Sequence, residues 1–342
     1  MSFFIPESKN FPEKYNVYVD VKRNKGYNKL PCTLGVFLAL AFVKRFREYI
    51  YRNKEAVTMN DLRSAIKHNF LKQIIFRLDY EGVMEADVEG CILSLRQKFF
   101  DAGFINMGKR TENQFDLQVK MDLNIPEGNQ FSVSNNKKNL VYIFSSDNKE
   151  ILEISKSFFT LTVDIDQTYE TFDKYIVLLA ESMAVIKSVS PYFQPLRIGL
   201  RKINICFLDN LADLPLYFTK AAFNANEVIE QFSEYDYIAS NMVTILSKDN
   251  YQANYVRNIQ EGMVQQEDGN QKTTYQIVID VDVFKEGNRE ILPMLSDEQI
   301  IKNTLQIQNT IEFEIFIKSL SDKLIQALKQ EVFQDDVIRG VV

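Results

Sequence analysis

With 342 residues, 46% of them hydrophobic and 25% charged, the chain is long enough for one large or two medium domains, and its composition is globular. The net charge of −6 argues against a dedicated duplex-binding protein, whose footprint is a concentrated basic surface. A single histidine, His68, removes multi-histidine metal sites, HExxH metalloproteases and triads that need a second imidazole.

The head of the chain is basic and the body acidic: residues 1–60 carry eleven Lys/Arg against five Asp/Glu. Within this head an apolar run, Leu34 to Val43, is followed by a cationic amphipathic stretch containing Lys44, Arg45 and Arg47. The run is too short to span a bilayer comfortably, and the aromatic-rich stretch before it makes a poor signal peptide. A core helix with cations near its C-terminus is the first reading, because the helix dipole favours them there. A helix docking on a partner or a membrane through residues 34–52 is the second. A third takes Met59 as the true start. Cys32, Cys91 and Cys206 are scattered, odd in number and without C-x-x-C spacing, which fits a reducing cytosol and leaves His68 without zinc-ligand company.

Beyond the head, FLKQIIFRLDYE (70–81) alternates and predicts a strand. Val88, Ile92, Leu95 and Phe99 recur at three- and four-residue spacing and predict a helix closed by Gly103. Strands are predicted over 114–124 and 139–146, joined by a polar hairpin connection at 125–138, with one or two more over 149–166. A helix over 168–188 carries the stripe Phe172, Ile176, Leu179, Met183 and Ile186, and Pro191 ends it. The strand 195–208 follows. The order then recurs, with strands in NMVTILSKDN, YQANYVRNIQEG and QKTTYQIVIDVDVF and a long helix over about 297–330. Ser296-x-x-Gln299 has capping-box spacing there, and Leu295 with Ile300 suits a hydrophobic staple.

These elements predict an α+β fold of two pseudo-repeated antiparallel units, each followed by a long helix packed on the sheet in a helix-grip-like manner. The expected divisions are 1–58 (the basic helical segment), 59–208 and 209–342. Each half ends a strand in an Asp-x-Asp pair, Asp164/Asp166 and Asp280/Asp282. Alternation sets these carboxylates on the solvated strand face, where they can meet cross-strand cations or free N–H groups at the following helix. Arg197 and Arg201 are the expected cations for the first pair, should 195–208 lie beside 158–166. The alternative is a Mg²⁺ or Mn²⁺ site on Asp164, Asp166, Asp280 and Asp282, although no GxxxxGK[ST] or GxGxxG phosphate cradle accompanies them. No cofactor motif, G-x-S-x-G elbow or kinase signature is present, so no catalytic residue is assigned.

The block FFTLTVDIDQTYETFDKYIVLLAESMAVI…PLRIGLRKINICF resembles a sporadically distributed family of uncharacterised prokaryotic proteins with a hallmark close to R-I-G-L-R-Y-x-N. Here the hallmark reads Arg197, Ile198, Gly199, Leu200, Arg201, Lys202, Ile203, Asn204, with lysine in place of the usual aromatic at 202. The resemblance follows the order of elements over about 68–330 and is specific only at 158–206. It implies no assigned activity; the patchy distribution implies mobile or antiviral-defence genes, and residues 1–60 look like an addition. Physically, Arg-x-Gly-x-Arg sets two guanidinium forks on one strand face with a gap at Gly199 that a ligand or backbone could approach. Arg197, Gly199, Arg201 and Asn204 are therefore the candidate anion- or partner-binding residues, with an internal ion-pair network as the structural counterpart. The leading expectation is a non-enzymatic, cytoplasmic protein-binding component of a small prokaryotic operon. Nucleic-acid binding, or metal-dependent action on nucleic acid, is the alternative; the sequence leaves the oligomeric state open.

Overall fold

The computed structural model describes residues 59, 61–120, 130–147, 149–165, 171–265, 271–335 and 337–340. The basic head, with the docking segment expected at 34–52, and Asp166 lie outside the described residues.

Alternation in LKQIIFRLDYE makes β1 (Leu71–Glu81), which buries Ile74, Phe76, Leu78 and Tyr80 on one face. Gly82 turns the chain out of it at φ 79°, where a Cβ would lie 1.8 Å from the Tyr192 carbonyl oxygen, so only glycine fits. Helix α1 (Glu85–Asp101) buries Val88, Cys91, Ile92, Leu95 and Phe99, the expected stripe, and Gly103 follows it at φ 96°. Next come β2 (Asn106–Lys120), β3 (Gln130–Ser145), β4 (Glu150–Ile154), β5 (Phe158–Asp164), α2 (Asp173–Ser188) and β6 (Gln194–Leu208). Two short helices, α3 (Leu214–Tyr217) and α4 (Ala225–Gln231), bridge to β7 (Ala239–Lys248), β8 (Tyr251–Gln265) and β9 (Gln271–Glu286). The chain continues through α5 (Asn288–Ile291), α6 (Glu298–Ser319), α7 (Asp322–Leu328) and the two-residue β10 (Ile338–Arg339).

All strand pairs are antiparallel and join one sheet in the order β2-β3-β4-β5-β1-β6-β9-β8-β7, with β10 on the end of β6. β1 and β6 are central, and the sheet runs without interruption across the 208/209 division. The long helices α1, α2 and α6 pack on the same face, α2 against both of the others. The fold is thus α+β, a large antiparallel sheet with a helical layer.

Three local expectations need correction. β2 and β3 pair along their whole lengths, from Asn106↔Ser145 to Lys120↔Gln130, so residues 130–138 are strand and not loop. Its only alternating apolar residues are Phe131 and Val133, and the polar run Ser134–Lys138 that follows gives no strand period to read. The helix expected over 297–330 breaks at Leu320, which turns extended (ψ 148°) and bridges Phe218, after which Ser321 caps α7 by accepting from Leu324 N. Finally, the cap of α6 is Asp297, whose carboxylate accepts from Gln299 N and Ile300 N, while the Ser296 hydroxyl donates to Pro293 O. Ile300 is correspondingly exposed, and Ile301 enters the core.

Two groups of polar contacts lock the helical layer to the sheet. On β6, Lys202 reaches the helical side, where its ammonium meets Glu312 of α6 at 2.8 Å and donates to Asn309 Oδ1 at 2.7 Å. Both charged side chains are at least 94% buried, with exposures of 6% and 3%. Nearby, Gln308 Nε2 donates to the carbonyls of Ile198 and Val283 on β6 and β9. On the other half, Glu150 of β4 accepts from Tyr175 Oη at 2.6 Å and Lys174 Nζ at 3.2 Å at the start of α2. Burial pushes the Glu150 carboxyl up, but the hydrogen bonds from Tyr175 and its other partners prevail and hold it below its ordinary 4.5.

Each lock gives a measurable expectation. Lys202→Ala strands the Glu312 carboxylate and should lower unfolding free energy by about 3–5 kcal/mol, whereas Lys202→Met with Glu312→Leu should recover most of it in urea melts. A native pKa below the unfolded one means that the Glu150 contribution is complete above pH 4.5 and fades as pH falls through the lowered native value. Glu150→Gln should therefore flatten the acid limb of the stability–pH curve relative to wild type.

Candidate functional site: the charged face of the sheet

Opposite the helices the sheet presents polar rows. The register aligns Asp79, Arg197 and Glu286 in one row across β1, β6 and β9, and Arg77, Gly199 and Phe284 in the next. Ile75, Arg201 and Asp282 follow, then Gln73, Ile203 and Asp280. Since side chains alternate, the hallmark divides: Arg197, Gly199 and Arg201 face this side, while Ile198, Leu200, Lys202 and Asn204 face the helices. Asn204 is thus separated from the other three candidate residues by the sheet itself. Its buried side-chain nitrogen has no hydrogen-bond partner among the described residues.

The arginines do not meet the first aspartate pair, because β1 lies between β5 and β6. They meet the second. Arg201 donates to both oxygens of Asp280, at 2.8 and 2.5 Å, and Arg197 Nη2 contacts both oxygens of Asp282 at 2.7 Å. Arg197 reaches Asp282, two rows along, by lying over Gly199: a Cβ there would stand 2.8 Å from its Nη1. The gap at Gly199 is therefore filled by the neighbouring guanidinium, which also sits 4.7 Å above the Phe284 ring. The Asp280 hydrogen bond raises the Arg201 guanidinium above its ordinary value, against the opposing effect of burial.

Asp280 and Asp282 sit within β9, which continues to Glu286, rather than at a strand tip before a helix. Asp164, at the end of β5, instead accepts from Gln73 Nε2 at 2.7 Å. Asp164 is three inter-strand steps from Asp280 and Asp282, roughly 14 Å. Among the described residues, no group of three or more His, Cys, Asp or Glu could hold a metal ion. His68 stacks edge-on against Phe333.

Residues that sequence reasoning did not single out extend the charged face. Arg77 donates to Asp79 at 2.7 Å and lies 4.7 Å over the Phe158 ring; Arg110 meets Glu112 at 2.6 Å and Glu153 at 3.0 Å. These side chains line a shallow depression of about 390 Å³ beside Leu196. The odd-numbered alternation of Arg77 and Asp79 in FRLDYE was the available signal. Burial pushes the Cys91 thiol up to about 12 and raises that of Cys206 as well, so neither is a ready thiolate.

A double-mutant cycle on Arg201→Ala and Asp280→Ala should give a coupling of about 1–2 kcal/mol, the scale of a charge-assisted, partly exposed pair. Gly199→Ala should displace Arg197 and reduce stability by about 1 kcal/mol, with no added effect once Arg197 is alanine. Zero coupling at Arg201–Asp280 would mean that the pair adds nothing measurable to the stability of the fold. Comparison of the chain with models of known protein families finds no match, and comparison with curated proteins finds none.

Proposed function

We propose that the chain is a binding protein without chemistry of its own, and that the charged face of the sheet is its contact surface. The observation that carries this reading is the pairing of Arg197 and Arg201 with Asp282 and Asp280: the face is polar and nearly self-neutralised, suited to a partner of mixed charge more than to a polyanion. A phosphate approaching these guanidiniums would have to displace bidentate carboxylates. The accompanying architecture supports an internal duplication. β1 pairs with β5 and β6 with β9, each the last strand of a meander that leads to a long helix, α2 or α6; β1 and β6 lie side by side at the centre. In this reading the two halves share a helix-grip-like plan, with the division set before β6 and not at the 208/209 boundary expected from the sequence.

On the family resemblance, the partner is another protein of a small prokaryotic operon, with a role in a mobile-element or antiviral defence system, and the setting is cytoplasmic. No described helix is long and apolar enough to cross a membrane. The nucleic-acid reading rests on the basic composition of residues 1–60.

Affinity capture from cells that naturally produce the protein tests both readings. Wild type should recover one stoichiometric protein, and the double variant Arg77→Glu/Arg110→Glu should lose it at least about tenfold, the effect of misplacing charge at a complementary surface. No stoichiometric protein, or equal recovery by the variant, would overturn the assignment. Steeply salt-dependent retention of RNA or DNA by wild type, lost on deleting residues 1–58, would favour the nucleic-acid reading instead.

A further inference from the structure

The two edges of the sheet differ in kind. β2, at one end, carries Lys109, Arg110 and Glu112 in its first half, charges of the sort that discourage strand-to-strand association. β7, at the other end, has no ionisable side chain from Ala239 to Ser247, and its one charge, Lys248, is already engaged by Glu314 at 2.5 Å. Among the described residues β7 pairs only with β8, leaving a ten-residue edge, about 34 Å of backbone, with unused donors and acceptors. Val243 and Ile245 are 62% and 68% exposed on the charged-face side, and Leu246 is 38% exposed on the helical side.

We propose that β7 is a homodimer interface, in which two copies pair their β7 strands antiparallel about a twofold axis at Thr244. The sequence of the edge selects this occupant. A twofold normal to the sheet brings directly opposite residues together on the same face, so only pairings between positions of equal parity are allowed. Centred on Thr244, the pairing sets Val243 against Ile245 of the second copy, Met242 against Leu246, Asn241 against Ser247 and Ser240 against Lys248. Apolar meets apolar on both faces, polar meets polar, and no like charges oppose. Shifting the axis by one residue destroys the match: centred on Val243, Ile245 opposes Asn241 and Leu246 opposes Ser240; centred on Ile245, Val243 opposes Ser247. The edge is thus complementary to itself in one register. The dimer would form one continuous sheet with both helical layers on the same side, and would leave the charged centre of each copy clear.

Sedimentation equilibrium of the full chain at micromolar concentration should give twice the 39.8 kDa of one chain. Ile245→Lys, which sets lysines into the seam, should shift this to the single-chain mass while leaving the far-ultraviolet circular dichroism spectrum of the fold in place. Thr244→Cys fixes the register: facing Cα atoms across the axis stand about 4.5–5.5 Å apart, within disulfide reach. That variant should form an intermolecular disulfide under mild oxidation. Ser240→Cys, whose two copies would lie about 27 Å apart along the strands, should not, and it controls for the native cysteines. A single-chain mass for wild type, a dimer indifferent to Ile245→Lys, or equal cross-linking at the two cysteines would each overturn the proposal.

Discussion

The strict two-residue period of strand β6 is the constraint on which the rest of this structure depends. In Arg197–Asn204 every other side chain serves a different environment, and both sets are charged or polar as well as apolar. On the helical side, Ile198 and Leu200 are fully buried in the core, and Lys202 anchors α6 through Glu312. On the other side Arg197 and Arg201 clamp β9. A one-residue slip of β6 against β9 would bury two guanidiniums under the helices and expose the core, so the pattern fixes the register as well as the strand.

The two ion-pair systems differ in energetic character. The Lys202–Glu312 pair is almost fully removed from water, so its desolvation is large and its geometry must be complete; Asn309 supplies the additional acceptor. Such a pair adds little net stability over an apolar replacement but strongly penalises any arrangement that separates its members. The Arg–Asp pairs on the open face are partly hydrated and bidentate, and they hold four side chains in fixed positions on a surface that would otherwise be free to move. One system orients α6; the other shapes the surface offered for recognition.

Position 202 holds a lysine whose ammonium needs a buried carboxylate, and Glu312 stands in the helix to meet it. Lys202 therefore belongs to the sheet–helix joint, on the face opposite the Arg-x-Gly-x-Arg surface. Gly199 matters for a reason of geometry, since the space left by its missing side chain is the track along which Arg197 reaches Asp282.

Much of the architecture was legible in the residues. Alternation in 70–81 and 195–208, the stripe at Val88, Ile92, Leu95 and Phe99, and that at Phe172 to Ile186 report burial directly, because a half-buried strand or helix must repeat its apolar residues at its own period. The 130–138 part of β3 was not legible, since its alternation stops at Val133 and the pairing continues through the polar run Ser134–Lys138. Nor was the break at Leu320, where a long-range bridge to Phe218 overrides a continuous helical stripe. The sequence by itself determined which faces of each element are apolar and that Arg197, Arg201, Asp164, Asp280 and Asp282 lie on polar strand faces. Only the tertiary structure decided which strands are neighbours. By inserting β1 between β5 and β6 it gave the arginines to Asp280 and Asp282 and not to Asp164, because strand order is set by long-range packing that no local period encodes.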